Sequence, residues 1–232
     1  MTAEVVVLLD VDNTLLDNDR ITADLGLHLE EEFGVASSDR YWVIFEKLRA
    51  ELGYADYLGA LQRYRAEMDQ GGAGDQRLLF MFSFLVDYPF ADRLYPRALE
   101  VVARLGRLGP TVILSDGDVV FQPRKVQRSG LWAAVGGRVL IYIHKEKMLE
   151  QVQRLHPARR YVMVDDKLRI LVAMKAVLGE RLVTVFPRQG HYAHDSSAIA
   201  TYAAADLSVE RIGDLLDTDT EQRLRAATTE KP

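Results

Sequence analysis

The sequence predicts an α/β protein: a doubly wound parallel sheet covered by helices and interrupted near its start by an all-helical insertion. Three observations carry this expectation. The run Val5-Val6-Val7-Leu8-Leu9 has no polar alternation, the pattern of a strand buried on both faces. Similar runs recur at 111–114, 139–143, 161–164 and 182–186, separated by stretches of helical periodicity, which is the rhythm of a parallel sheet. No strand candidate interrupts residues 20 to 88.

With 232 residues, 48% of them hydrophobic and 27% charged, the chain suits one large globular domain or one core with an insertion. Its net charge of -5 argues against a nucleic-acid partner, because phosphate contacts need Lys and Arg in excess. Cysteine is absent, which excludes disulfides and thiolate metal sites and is compatible with a reducing cytoplasm. The run at 5–9 is too short for a signal-peptide core and follows Glu4 rather than a basic segment. No stretch approaches a membrane span, so a cytoplasmic protein without a membrane partner is expected.

The first strand runs directly into Asp10-Val11-Asp12-Asn13-Thr14. Ligands of open α/β sheets bind beyond the carboxyl ends of the strands, where Asp10 and Asp12 stand. An Asp carboxylate is a competent nucleophile toward phosphorus once a cation such as Mg2+ neutralises the charge it must approach. A second carboxyl close by has its proton affinity raised and can protonate a leaving oxygen. The plain alternative is an Asp-rich turn. A calcium loop is excluded, since Leu15 stands where the EF-hand Gly belongs and Ile21 where its Glu belongs.

Beyond Asp19 the periodicity is helical. Residues 21–34 carry Leu25, Leu27, Leu29 and Phe33 and stop at Gly34. A second helix, capped by Ser37 or Ser38, carries Tyr41, Trp42, Ile44, Phe45, Leu48 and Leu52 before Gly53. A third spans Asp56 to Gln70, residues 71–74 form a flexible joint, and Asp75 caps an apolar helix that stops near Pro89. The aromatic positions are read as core, and the insertion as a lid over the strand tips. Arg20, Arg63 and Arg65 are its candidates to meet an anionic leaving group, and its run from Phe80 to Leu85 is either lid interior or a homodimer face.

The α/β rhythm resumes at Pro96, with Leu99, Val102, Leu105 and Leu108 on one helix face. The next strand leads into Ser115-Asp116-Gly117-Asp118, where a hydroxyl and turn N–H groups can hold a phosphate oxygen or form a plain turn. Residues 119–130 read as a helix broken by Pro123. After the third strand comes His144-Lys145-Glu146-Lys147, whose lysines can bridge an anionic nucleophile and a phosphate or simply be solvated. The fourth strand ends in Asp165-Asp166-Lys167. Two adjacent carboxylates at one sheet end are unfavourable without a cation, the best internal pointer to a metal. A helix over 168–178 leads to the fifth strand. The segment His191-Tyr192-Ala193-His194-Asp195 that follows fits neither a zinc motif nor a nucleophile elbow. An edge strand at 205–209, a short helix to Leu216 and a frayed tail complete the chain.

In chain order, Asp10-x-Asp12-x-Thr14, Ser115, Lys145 and Asp165-Asp166 resemble the four motifs of the haloacid dehalogenase-like hydrolase superfamily, and the insertion resembles its C1-type helical cap. The resemblance covers essentially the whole chain. It implies a Rossmann-like core of residues 1–16 and 93–232, a cap of residues 17–92, and a first strand lying between the second and the fourth. It also implies that Asp10 is the nucleophile and a direct Mg2+ ligand, and that Asp12 is the general acid/base whose carbonyl also binds the ion. Thr14 would support the turn, Ser115 with the Asp116 and Gly117 backbone would hold phosphate, and Lys145, with Lys147 as its neighbouring candidate, would stabilise charge. The fourth motif departs from the common Gly-Asp-x-x-x-Asp form, with Asp165, Asp166 and Ile170 at those positions. Asp166 is the expected direct ligand and Asp165 stands behind it.

The reaction so implied is phosphoryl transfer to Asp10, with Asp12 protonating the departing oxygen and then activating water: a Mg2+-dependent phosphatase for a small phosphorylated substrate. The alternatives are a phosphomutase, a 2-haloacid dehalogenase, and a phosphate-ligand binding protein without turnover.

Overall fold

The computed structural model describes residues 2–70 and 77–229. The joint at 71–74 and the cap at Asp75 lie outside the described residues. Six parallel strands form one sheet in the order β3-β2-β1-β4-β5-β6. They are β1 (Ala3–Leu9), β2 (Thr111–Asp116), β3 (Val139–Tyr142), β4 (Ala158–Val164), β5 (Leu182–Pro187) and β6 (Leu207–Val209). Between β1 and β2 the chain forms α1 (Asn18–Phe33), α2 (Val35–Leu52), α3 (Tyr57–Gln70), α4 (Arg77–Asp87) and α5 (Ala98–Leu105). Next come α6 (Phe121–Arg128), α7 (Leu131–Ala134), α8 (Leu149–Leu155) and α9 (Leu168–Leu178). Then α10 (Gly190–Ala193), α11 (Ser196–Thr201) and, after the sheet, α12 (Thr218–Thr229) follow.

The unbroken apolar run of β1 is explained by two dry faces. Val5, Val7 and Leu9 pack in one core with Val101 and Val102 of α5 and Leu224 of α12, and the alternate residues Val6 and Leu8 pack in a second with α8 and α9. β1 lies between β2 and β4, as the resemblance implied. Leu9 is in register with Ile113 and Val164, so the acidic turn after β1 leaves the sheet beside the ends of β2 and β4. No helix among the described residues is long and apolar enough to cross a membrane.

Several local expectations are corrected. α2 begins at Val35 directly after Gly34, whose φ of 85° lets it end α1 and start the next helix, so Ser37 and Ser38 lie inside the helix rather than capping it. The third helix does have its cap: Asp56 Oδ1 accepts the Gly59 N–H at 2.7 Å. Leu99 points outward at 42% exposure, and Ala98, Val101, Val102 and Leu105 form the buried face of α5 instead. Pro123 does not break α6. It is the third residue of that helix, where its missing N–H would have no intrahelical partner, and Asp118 Oδ1 accepts the N–H groups of Val120 and Phe121 at 2.7 and 2.6 Å. The tail does not fray through residue 229. Leu224 and Thr228 are buried, and Glu221 accepts a 2.8 Å hydrogen bond from Arg104 of α5.

Candidate active site

The turn after β1 is built from its own side chains. The Asp10 N–H continues the ladder onto Val164 O at 3.0 Å, and the chain then curls so that the Leu15 and Leu16 N–H groups reach Val11 O at 2.9 and 3.0 Å. Asn13 sits at the crown with φ 59°, a left-handed conformation that Asn tolerates because its side chain bonds locally. Its Oδ1 accepts from the Asn18 and Asp19 N–H groups at 3.0 and 3.1 Å. Gly190, itself at φ 69°, packs so tightly on this crown that a Cβ there would collide with the Asn13 side chain. Thr14 Oγ1 donates to Asp10 Oδ2 at 3.2 Å and accepts the Asp166 N–H at 3.0 Å, which sets two strand ends in fixed relation.

Lys145 is 2% exposed, and its N–H is anchored on Asp116 Oδ1 at 2.7 Å. Its Nζ forms ion pairs with Asp10 Oδ1 and, at 2.7 Å, with Asp165 Oδ2. Burial works against the ammonium, but Asp10, Asp165 and Asp116 outweigh it, and the Lys145 pKa lies above the ordinary lysine value. Lys147 is exposed, so of the two candidates Lys145 is the one that meets Asp10. Burial raises the Asp116 carboxyl, and Lys145 only partly offsets this.

The acid pair is divided in its contacts. Asp165, beyond its pair with Lys145, accepts the Lys167 N–H at 2.9 Å, and burial pushes its carboxyl up to about 6 against the pull of Lys145. Burial raises the Asp166 carboxyl well above its usual range, against the opposing pull of Lys167. Both Asp166 oxygens are buried without a hydrogen-bond partner. Unpartnered buried carboxylate oxygens are costly and call for a cation. One oxygen each from Asp10, Asp165 and Asp166 lies within 4.8 Å of the others, an all-oxygen donor set that fits a hard divalent ion such as Mg2+.

Asp12 is partly exposed to the adjoining cavity. Its Oδ1 accepts from Lys125 Nζ at 2.7 Å and its Oδ2 from Gln122 Nε2 at 3.3 Å. Gln122 Nε2 also donates to Ser115 Oγ at 2.9 Å, joining the residue expected to hold phosphate to the second Asp. Of the expected phosphate-holding backbone, the Gly117 N–H is committed to Tyr142 O at 2.9 Å. The phosphate-facing donor expected there is thus taken up by the end of β3.

The chain matches the family of haloacid dehalogenase-like hydrolases over residues 5–177. It belongs to that family. A solved structure from Burkholderia xenovorans LB400, described as a haloacid dehalogenase-like hydrolase, is 65% identical to this hydrolase, with a TM-score of 0.87 over 94% of this chain and 99% of that one. The HAD-hydrolase YfnB of Bacillus subtilis, solved bound to magnesium, is 17% identical with a TM-score of 0.61, covering 92% of this chain and 97% of its own. An L-2-haloacid dehalogenase from Xanthobacter autotrophicus is 18% identical with a TM-score of 0.55, covering 93% and 97%. These two share the fold. The comparison with curated proteins found no match.

The hydrolase carries a cavity of about 790 Å³ beside the strand ends. Asp12, Asp116, Lys125 and Lys167 line it from one side, and Trp42, Phe45, Arg49 and Tyr57 of the helical insertion from the other. Arg49 Nη2 donates to the Tyr192 hydroxyl, joining α2 to α10 beside the cavity. The expected arginines are not at this site. Arg20 pairs with Asp24 at 3.0 Å, Arg63 pairs with Glu51 at 2.8 Å, and neither they nor Arg65 line the cavity. Phe80 is exposed, whereas Met81, Leu85 and Tyr88 are buried, so α4 and the residue just beyond it turn their apolar side inward. His191 is taken up by Asp19, with Nδ1 to Oδ1 at 2.6 Å.

The sequence reading missed Lys125, Gln122 and Arg49. A signal for the first two exists: Phe121, Gln122, Lys125 and Val126 share one helical face, so two polar residues interrupt what is otherwise an apolar stripe.

Proposed function

We propose that this hydrolase is a Mg2+-dependent phosphatase of a small phosphorylated metabolite, working through an aspartyl-phosphate on Asp10. The observation that carries the reading is the contrast between two carboxylates two residues apart. Asp10 is buried against Lys145, and Asp12 opens onto the cavity. The first suits a fixed nucleophile, and the second suits a group that must reach the leaving oxygen and then a water.

In the proposed reaction Asp10 attacks phosphorus as the ester P–O bond breaks. Asp12 gives its proton to the departing oxygen, then takes one from the water that cleaves the aspartyl-phosphate and frees Asp10. Lys145 fixes the nucleophile and offsets its charge, and the Ser115 hydroxyl donates to a phosphoryl oxygen. Asp10, Asp166 and the Asp12 carbonyl would hold Mg2+, with Asp165 behind them on Lys145. When bound, the ion offsets the negative charge of the phosphoryl group. The same reading makes residues 17–92 a cap domain over a core of residues 1–16 and 93–232, and the cytoplasm its compartment, which the absence of cysteine fits.

The test is a phosphate-release screen of many phosphoesters with and without Mg2+, repeated on Asp10→Asn. The expected outcome is Mg2+-dependent release that the variant loses with its fold intact. Retained release by the variant would remove Asp10 from the role. Halide release from a 2-haloacid without Mg2+, and no phosphate release, would replace the phosphatase with a dehalogenase.

A further inference from the structure

We infer that Lys125 is a positioning residue for the acid/base step, holding the Asp12 carboxylate in one orientation and tying it to the root of the helical insertion. The inference rests on the reading of Asp12 as general acid/base and deepens it.

Lys125 is 1% exposed. A buried ammonium is costly unless its hydrogens are matched by oxygens, and here two are supplied: Asp12 Oδ1 at 2.7 Å and Asn18 Oδ1 at 2.9 Å. The helix that carries Lys125 is well fixed. Asp118 caps α6, and Phe121 and Val126 anchor it in the core. One turn earlier Gln122 takes the other oxygen of Asp12, so α6 grips both carboxylate oxygens with two side chains spaced i, i+3. Asn18 is the first residue of α1, and its Nδ2 donates to the Tyr57 hydroxyl of α3 at 3.3 Å. Lys125 is thereby the junction of α6, the acid/base carboxylate and two helices of the insertion.

The chemistry says where this grip matters. As the Asp10–P bond forms and the ester P–O bond breaks, the electron pair passes to the leaving oxygen, which takes the proton of Asp12. An alkoxide needs that proton, whereas p-nitrophenolate departs without it. In the phosphorylation of Asp10, loss of an aligned Asp12 is therefore felt by one substrate and spared by the other, and kcat/KM reads that step apart from the aspartyl-phosphate hydrolysis both substrates share. A lysine that only supports the fold would affect both alike.

The experiment compares the native protein, Lys125→Met and Asn18→Ala on benzyl phosphate and p-nitrophenyl phosphate with Mg2+. For Lys125→Met, kcat/KM on benzyl phosphate should fall about 10²-fold and on p-nitrophenyl phosphate by less than about threefold. Asn18→Ala leaves the Asp12 pair but frees Lys125 on one side, so kcat/KM should fall about fivefold, on benzyl phosphate alone. Parallel losses in kcat/KM on both substrates, or none, would overturn the inference. Should Lys125→Met fail to fold by circular dichroism, Asn18→Ala decides on the same criterion. A native protein that releases phosphate from no phosphoester of the screen overturns the phosphatase reading itself, whereas an active native protein with unselective variants overturns only the role of Lys125.

Discussion

The Thr14 hydroxyl and the Asp166 N–H, 152 residues apart in the chain, are joined by a 3.0 Å hydrogen bond. The same hydroxyl donates to Asp10 Oδ2 at 3.2 Å, so one oxygen aligns the Asp10 carboxylate with the Asp166 backbone. Thr14→Val keeps the shape and removes both bonds. With the Asp166 N–H left buried and unpaired, the cost should be about 1–3 kcal/mol in urea denaturation, and Thr14→Ser should recover most of it. Unchanged unfolding of the valine variant would show that the link carries no weight.

Asp166 and Asp165 should respond differently to loss of charge. Asp166→Asn removes a carboxylate whose oxygens have no hydrogen-bond partner. In chelator the variant should melt no lower than the native protein, and the rise in Tm expected of the native protein with Mg2+ should be absent from it. Asp165→Asn instead weakens the pair with Lys145 and should melt lower in chelator. Differential scanning fluorimetry with and without Mg2+ reads both, and a Mg2+-induced rise surviving in Asp166→Asn would take that residue out of the ligand set.

Lys145→Met should abolish phosphate release and destabilise the fold by about 3–5 kcal/mol, because it strands carboxylates that share one buried cation. Lys147→Met should do neither. Since the folded pKa of Lys145 is raised, its contribution is fully present below the ordinary lysine value, about 10.4, and is lost only as pH rises through the folded value. The stability gap between native and variant should then not narrow between pH 7 and pH 9. A gap that closes between those values contradicts the arrangement.

Asp206 offers a case of the opposite sign. Its partial burial opposes ionisation, but the Thr184 N–H and hydroxyl, both at 2.8 Å, and Lys175 at 3.0 Å hold its carboxyl below the usual range. Stability from such a group is present above the unfolded carboxyl pKa of about 3.9 and is lost as pH falls through the lower folded value. At 39% side-chain exposure the effect is reduced by solvent, so Asp206→Ala should cost about 1 kcal/mol at pH 7. The cost should shrink below about pH 4. Urea titrations at pH 7 and pH 3.5 would expose a pH-independent difference if the carboxyl is not the cause.

Asp10, Asp12, Lys145 and the acid pair were legible because each follows a strand, and a parallel sheet converts that position into a place in space. Lys125 was not. A lysine in mid-helix is ordinarily solvated, and its burial here depends on the rotation of α6 set by Phe121 and Val126 and on partners more than a hundred residues earlier. The choice of Arg49 over Arg20, Arg63 and Arg65 likewise turns on which helix face meets the cavity, which spacing alone does not decide. The terminal helix escaped notice because its apolar content is slight. Leu224 in the core and the Arg104–Glu221 pair hold it in place of a broad apolar stripe.

Gly190 presses on Asn13, the crown of the acidic turn. A loop far along the chain thus serves as the mould in which the neighbourhood of the proposed nucleophile is cast. A mutational scan scored on turnover would mark residue 190 as intolerant, with alanine already harmful. Damage to the chemistry would be inherited through a position whose crowded neighbour is Asn13 rather than Asp10 or Asp12.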